Sequence, residues 1–285
     1  MAAALSPAPA IPRSAPGSPV IEVRDLEVRH GERTTLRGIN LTVHAGEVLV
    51  ILGGSGSGKS TLLKCLLGML PVSAGSVRVL GVDLASAGER EREATYRRMG
   101  VVYQSGALFG SLTVGDNVRL PMREHARRLD RQTIDIMMRM KLGQVQLSDK
   151  EDSLPSELSG GQAKRAAFAR AIALDPELLL CDEPSAGLDP RIGRGLDDLI
   201  RSLNKALRMT IVVVTHEMES VKLIADRVVL LHPEPQGAVL AFSGTLDELY
   251  ASQDPRVRDF VQRVPVMDPA REGHVVLRQL VGEAR

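Results

Sequence analysis

Residues 53–61 read GGSGSGKST, the densest set of anion-gripping groups in the chain. Gly53, Gly54, Gly56 and Gly58 interleave with Ser55 and Ser57 and run into Lys59, Ser60 and Thr61. Glycines let successive backbone N–H groups approach phosphate oxygens with no Cβ in the way. A helix starting at Lys59 would add a partial positive charge behind them. The spacing matches G-x-x-x-x-G-K-[ST], in which the lysine reaches the β- and γ-phosphates and the hydroxyl, here Ser60, meets Mg²⁺. The expected chemistry is the binding of a nucleoside triphosphate.

Other polar groups end apolar runs. Leu178, Leu179, Leu180 and Cys181 lead into Asp182 and Glu183. Two acids at the end of a buried strand are costly without partners, so Asp182 suits the metal position opposite Ser60 and Glu183 suits work on a water. Ile211, Val212, Val213 and Val214 lead to Thr215 and His216, at a strand end where a phosphate or water contact is expected. Val101, Val102 and Tyr103 lead to the amide of Gln104. A second glycine-rich helix start follows at Ser159, Gly160, Gly161 and Gln162, with Ser159 as N-cap. Either one chain binds two anions, or this second corner closes over a phosphate held by another copy. Spacing leaves both arrangements open.

Positioning these groups requires a parallel sheet. Residues 48–52 are an unbroken apolar run, as a strand buried on both faces should be. Leu62, Leu63, Leu66 and Leu67 continue at helical spacing. Ahead of them, residues 21–29 alternate imperfectly and residues 34–43 form a second strand region, which predicts an antiparallel β layer. Residues 105–156 read as helical. There Ile134, Met137 and Met138 share a face, for core packing or for an adaptable docking surface. Further strands are expected at residues 76–80, 228–232 and 238–242, and helices at 90–98, 192–207 and 245–251. Val257, Phe260, Val261 and Val264 predict one more amphipathic helix, and residues 275–281 are an apolar patch.

Composition narrows the function. The 285 residues carry a net charge of +1, from 36 basic and 35 acidic side chains, so no electrostatic footprint for nucleic acid is present. Aromatic residues make up 2% and tryptophan is absent, which argues against base-stacking platforms. No apolar run nears the ~18 residues that would span a bilayer, so any membrane role goes through partner chains. Cys65 and Cys181 read as small core hydrophobes in a reducing compartment. Residues 1–19, rich in Ala, Pro and Ser, read as a disordered tail and not as a secretory signal. No internal repeat is evident.

Together these residues resemble the ATP-binding cassette (ABC) ATPases over roughly residues 21–250. GGSGSGKST looks like the Walker A loop, Gln104 like the Q-loop glutamine, LSGGQ (158–162) like the signature motif, LLLCDEP (178–184) like Walker B with a catalytic glutamate, SAGLD (185–189) like the D-loop and His216 like the switch histidine. The resemblance implies an α/β P-loop NTPase fold with an antiparallel β subdomain and an inserted helical subdomain at about 105–175. It also implies a head-to-tail homodimer in which Lys59 and Ser60 of one copy and Ser159 and Gly161 of the other hold one ATP with Mg²⁺. Gln104 would contact the Mg²⁺ and relay nucleotide state through the helical lobe. Glu183 would act on the attacking water and His216 would hold the γ-phosphate. The family's adenine-stacking aromatic is replaced by His30, or by Arg29 beside it.

Within the family, QSGALF (104–109), PMREH (121–125), PSELSGG (155–161), ARAIALDPEL (169–178) and DPRVRDF (254–260) resemble the ATPase subunit of Mla-type phospholipid transporters, which maintain outer-membrane lipid asymmetry. That likeness implies a permease pair, an MCE-domain protein and a STAS-domain regulator as partners, on the cytoplasmic face of a bacterial inner membrane. Residues 20–253 would be the ATPase domain and 254–285 an intersubunit contact. Two other readings compete: the motor for another solute, and a soluble non-transport ABC ATPase, which the single Walker A block and neutral charge disfavour.

Overall fold

The computed structural model describes residues 13–126 and 129–263. Pro19–His30 (β1) and Arg33–His44 (β2) pair antiparallel, and Ala74–Val79 (β4) joins the far side of β1. The imperfect alternation of β1 has a local cause. The β1–β2 register slips between Val23 and Leu26, where Asp25 takes a φ of 45°. Asn40 stabilises this bulge, accepting from Asp25 N at 3.0 Å and donating to its carboxylate at 2.9 Å. Val82–Asp83 (β5) completes a four-stranded sheet, ordered β2-β1-β4-β5.

The second sheet holds the nucleotide-type strand. Val48–Leu52 (β3) leads into Lys59–Leu66 (α1), while Glu89–Tyr96 (α2) precedes Met99–Val102 (β6). Val114–His125 (α3) and Arg131–Gln144 (α4) form the helical lobe, and Gly160–Ala171 (α5) returns to the body. Then come Leu178–Asp182 (β7), Pro190–Leu207 (α6), Thr210–Val214 (β8), Met218–Ile224 (α7) and Arg227–His232 (β9). Val239–Gly244 (β10), Leu246–Ala251 (α8) and Pro255–Arg263 (α9) close the described chain. The sheet order is β10-β9-β3-β8-β7-β6, with β10 antiparallel and the rest parallel.

Both faces of this sheet are covered, which explains the unbroken apolar runs. Val48, Val50 and Leu52 face a core shared with the helical lobe, α6 and α7. Leu49 and Ile51 face a second core under the antiparallel sheet and α1. Truncating Ile51 to alanine would cost about 2–5 kcal/mol, since a fully buried side chain leaves a cavity. The face of Ile134, Met137 and Met138 packs on the core, with Met137 partly buried, while Ile136 and Met140 elsewhere on the same helix are exposed.

One boundary differs from composition alone. Residues 13–18, assigned to the tail, are tied to the body: Ser14 N donates to Glu177 at 3.1 Å, and Arg13 donates to the Leu207 carbonyl. Single polar contacts of this kind leave no mark on composition. The predicted helix at Val257 is α9, and it lies on its own chain, with Val257 buried and Phe260 and Val261 against the core. Val264 and residues 275–281 lie outside the described residues. Among the described residues, no helix is long and apolar enough to cross a membrane.

Candidate active site

Parallel register brings the polar strand tips together. Ile51 pairs with Val214, and Asp182 pairs with Val214 from the other side, so β3, β8 and β7 end at one level. A cleft of about 650 Å³ opens there, lined by Gly54, Ser55, Gly56, Lys59, Ser60, Gln104, Asp182, Glu183 and His216. His232, Asp259 and Phe260 line the same cleft, the last two from α9. Sequence reasoning placed neither His232 nor Phe260 near the site.

The loop geometry depends on its glycines. A Cβ on Gly53 would lie 2.3 Å from Ser57 Oγ and 2.7 Å from the Leu231 carbonyl, so only glycine fits against β9. Gly58 has φ +88°, and its Cβ would strike Leu36 at 2.5 Å. Gly58 caps α1 with backbone alone, and no side chain closes the helix start. Ser57 is buried, and its N–H donates to the Gly54 carbonyl at 3.2 Å within the loop. Lys59 folds over the loop, donating to the Gly53 carbonyl at 2.8 Å and the Gly54 carbonyl at 3.1 Å. Burial holds its ammonium below the usual lysine range, opposed by Glu183 and Asp182.

The two acids sit in different surroundings. Burial raises Asp182 above the ordinary carboxylate range, and Glu183 adds to that, against Lys59 and Lys64. Glu183 adopts φ 46°, a left-handed backbone unusual for a side chain of this size, and its N–H donates to the Val214 carbonyl at 2.8 Å. The turn points its carboxylate at His216, whose Nδ1 lies 2.9 Å from Oε1 and 2.8 Å from Oε2. Behind them Ser185 donates to Glu217 at 2.9 Å, linking the segment after β7 to the start of α7. Asp197 on α6 is buried beside Ser220 and Glu217, and burial pushes its carboxyl up to about 6. Both cysteines are buried, and burial raises the Cys65 thiol to about 11, which suits inert core residues.

A smaller cleft of about 350 Å³ lies on the other side of the loop, lined by His30, Arg33, Thr35 and residues 56–61, including Thr61. His30 Nδ1 is 3.2 Å from Thr35 Oγ1. Arg29 pairs with Glu27 instead, so His30 and Arg33 are the groups presented here. Sequence reasoning missed Arg33.

The signature corner is elsewhere. Ser159, Gly160, Gly161 and Gln162 line neither cleft. Ser159 caps α5 by accepting from Gln162 N at 3.3 Å, while its own N–H donates to Gln162 Oε1 at 2.9 Å. Ser159 and Gly160 are exposed, and Gly161 packs so closely on Ile192 that a Cβ would meet it at 2.5 Å. The chain thus joins Lys59, Ser60, Gln104, Asp182, Glu183 and His216 in one cleft, with its second glycine-rich helix start outside it.

The chain is similar to known proteins in sequence and in fold. The family model for ABC transporters matches residues 36–186. The intermembrane phospholipid transport system ATP-binding protein MlaF of Haemophilus influenzae is 42% identical over 85% of this chain and 90% of its own. A probable ribonucleotide transport ATP-binding protein, mkl of Mycobacterium bovis, is 39% identical over 85% of this chain and 66% of its own. The cassette MJ0796, solved as a dimer in a post-hydrolysis state with ADP and Pi, superposes with a TM-score of 0.70 at 27% identity, covering 79% of this chain and 98% of that one. Motif order, sheet topology and these similarities agree, and the chain belongs to the ABC transporter family as one of its ATP-hydrolysing cassettes.

Proposed function

We propose that this chain is the ATP-hydrolysing motor of a phospholipid transporter, working as a head-to-tail pair beneath membrane permease subunits. The observation that carries the mechanism is the separation of Ser159 from the cleft that joins Lys59, Asp182, Glu183 and His216. Each reaction centre then needs the loop of one copy and the signature corner of the other. A dimer of the similar cassette, solved with ADP and Pi, supports this reading.

In each centre Lys59 and the amides of the loop bind the β- and γ-phosphates, and the open start of α1 adds its dipole. Ser60, Asp182 and Gln104 offer oxygen donors around one cleft, which suits a hard cation such as Mg²⁺. When bound, Mg²⁺ neutralises charge on the phosphates. Glu183 takes the proton of the attacking water at its carboxylate. His216, already held to Glu183 through Nδ1, orients that carboxylate and keeps its second ring nitrogen for the γ-phosphate. His30 and Arg33 border the smaller cleft and receive the adenine and ribose side.

The name of the Haemophilus relative supports phospholipid as the cargo, and the partners are those that the resemblance to Mla-type ATPases implies. They are a permease pair in the bacterial inner membrane with the cassette on its cytoplasmic face, an MCE-domain protein and a STAS-domain regulator, with residues 254–285 contributing to the contact between copies. The name of the mycobacterial relative, a probable ribonucleotide transport protein, favours a second reading, in which the cargo is a ribonucleotide. Purification of the chain with its membrane partners from detergent decides between them. Phospholipid co-purified with the complex and moved between labelled vesicles on ATP addition supports the first. ATP-driven uptake of ribonucleotide without lipid movement rejects it.

A further inference from the structure

Gln104 reaches the cleft from a segment without regular structure, yet side chains from two helices grip that segment. From α5, Lys164 donates to the Gln104 carbonyl, and Arg170 donates to the Gly106 carbonyl at 3.2 Å and to that of Ala107. The Arg170 guanidinium also lies 5.9 Å from the centre of the Phe109 ring. From α3, the buried Asn117 accepts from Phe109 N at 2.8 Å and donates to the Phe109 carbonyl at 3.1 Å. Gly106, at φ +75°, lets the segment lie on α5 with Ala167 beneath it.

Lys164 is the unexpected member. It is 8% exposed on a helix whose neighbouring buried residues are Ala166, Ala167, Phe168 and Ala169. An ammonium is expensive to bury, so its retention on an apolar face needs a reason. Its polar surroundings are the Gln104 carbonyl and the acids Glu183 and Glu217, from the ends of β7 and β8. The same helix begins at Ser159, about 7.5 Å along the axis from Lys164. One rigid element therefore carries the corner offered to a partner and the bond that holds the chain's own Gln104.

We propose that Lys164 is a positioning residue that fixes the Gln104 backbone to α5, so that docking of Ser159 on a partner's nucleotide and placement of Gln104 at the chain's own nucleotide become one motion. This rests on the two-copy reaction centre proposed above. Closure at one nucleotide then prepares the other, and turnover rises cooperatively with ATP.

The test uses the full chain with Lys164→Met, Lys164→Arg and Gln104→Ala, read by amide hydrogen exchange and by ATPase kinetics. In Lys164→Met, exchange over residues 103–109 should quicken by about tenfold while α3 and β7 keep their protection. Turnover should fall by about tenfold, since a small misplacement of a catalytic group is costly, with KM for ATP changing less than about twofold. The Hill coefficient for ATP should fall toward one. Lys164→Arg, which keeps the charge, should retain wild-type values. Wild-type exchange or wild-type turnover in Lys164→Met overturns the proposal, as does an equal loss in Lys164→Arg. Should Lys164→Met not fold, Lys164→Leu reads the same two quantities. Gln104→Ala separates the failures. If it too leaves turnover unchanged, the role of Gln104 is wrong; if it slows turnover where Lys164→Met does not, only the clamp is wrong.

Discussion

The chain starts two helices at glycine-rich turns, and their first turns differ. α1 follows Gly58, has no side-chain cap, and opens into a cleft beside Lys59, Asp182 and Glu183. α5 follows Ser159, whose hydroxyl and backbone are both engaged with Gln162, and it faces outward. An uncapped helix start holds all its amide donors ready for an anion, whereas at a capped one a side chain already takes one of them, here the N–H of Gln162. The first is the proposed phosphate site. The second offers an anion its remaining amides from an outward-facing corner.

The widest gap should come from chemistry confined to the α1 side. Glu183→Gln should lower turnover by about 10²–10⁴-fold with nucleotide affinity retained, because it removes the base and leaves the loop intact. Turnover that survives the change would take Glu183 out of the reaction.

Next comes a complementation between the two helix starts. Lys59→Ala and Ser159→Glu should each reduce turnover by roughly 100-fold, through loss of phosphate stabilisation and through repulsion of a phosphate respectively. Mixed together they should recover activity, because a mixed dimer pairs one intact loop with one intact signature corner. A mixture as inactive as its components would leave the two sites without a shared nucleotide.

Acid should then act on the α1 side more than on the α5 side. Asp182 is raised above the ordinary carboxylate range by burial and by Glu183, so it gains its proton at a higher pH than an exposed aspartate. The protonated form gives up its charge for Mg²⁺, so the Mg²⁺ concentration needed for half-maximal turnover should rise as pH falls through that range. Asp182→Asn should need more Mg²⁺ at every pH and lose this dependence. A Mg²⁺ requirement in the wild type that stays flat as pH falls through the ordinary carboxylate range would refute the assignment.

The smallest effect belongs to the cap of α5. Gln162→Ala removes half of the reciprocal pair and should lower stability by about 0.5–1 kcal/mol, read as a modest drop in Tm. No change in Tm would mean that the cap contributes nothing measurable.

Much of the site was legible because its parts are local. The loop at residues 53–61, the acids after β7 and the histidine after β8 each sit at the end of an apolar run, and backbone chemistry ties those residue types to those places. The N-cap at Ser159 was legible for the same reason. Other parts were not. Lys164 and Arg170 read as ordinary helix cations until α5 lies under residues 104–109. Phe260 belongs to an amphipathic pattern that says it is buried but not beside which loop. Arg13 and Ser14 sit in a stretch whose composition signals disorder, yet they bond to the Leu207 carbonyl and to Glu177.

Sequence alone determined which residue types could bind a triphosphate, where the strands bearing them run, and that a second helix start could meet an anion. Those properties depend on neighbours a few residues apart, whose geometry the backbone imposes. Tertiary structure decided that Asp182, Glu183 and His216 meet at Lys59 while Ser159 does not, and that one helix grips the Gln104 backbone. Such contacts join residues far apart in the chain, and they exist only once parallel register and packing of the helical lobe set the distances between elements.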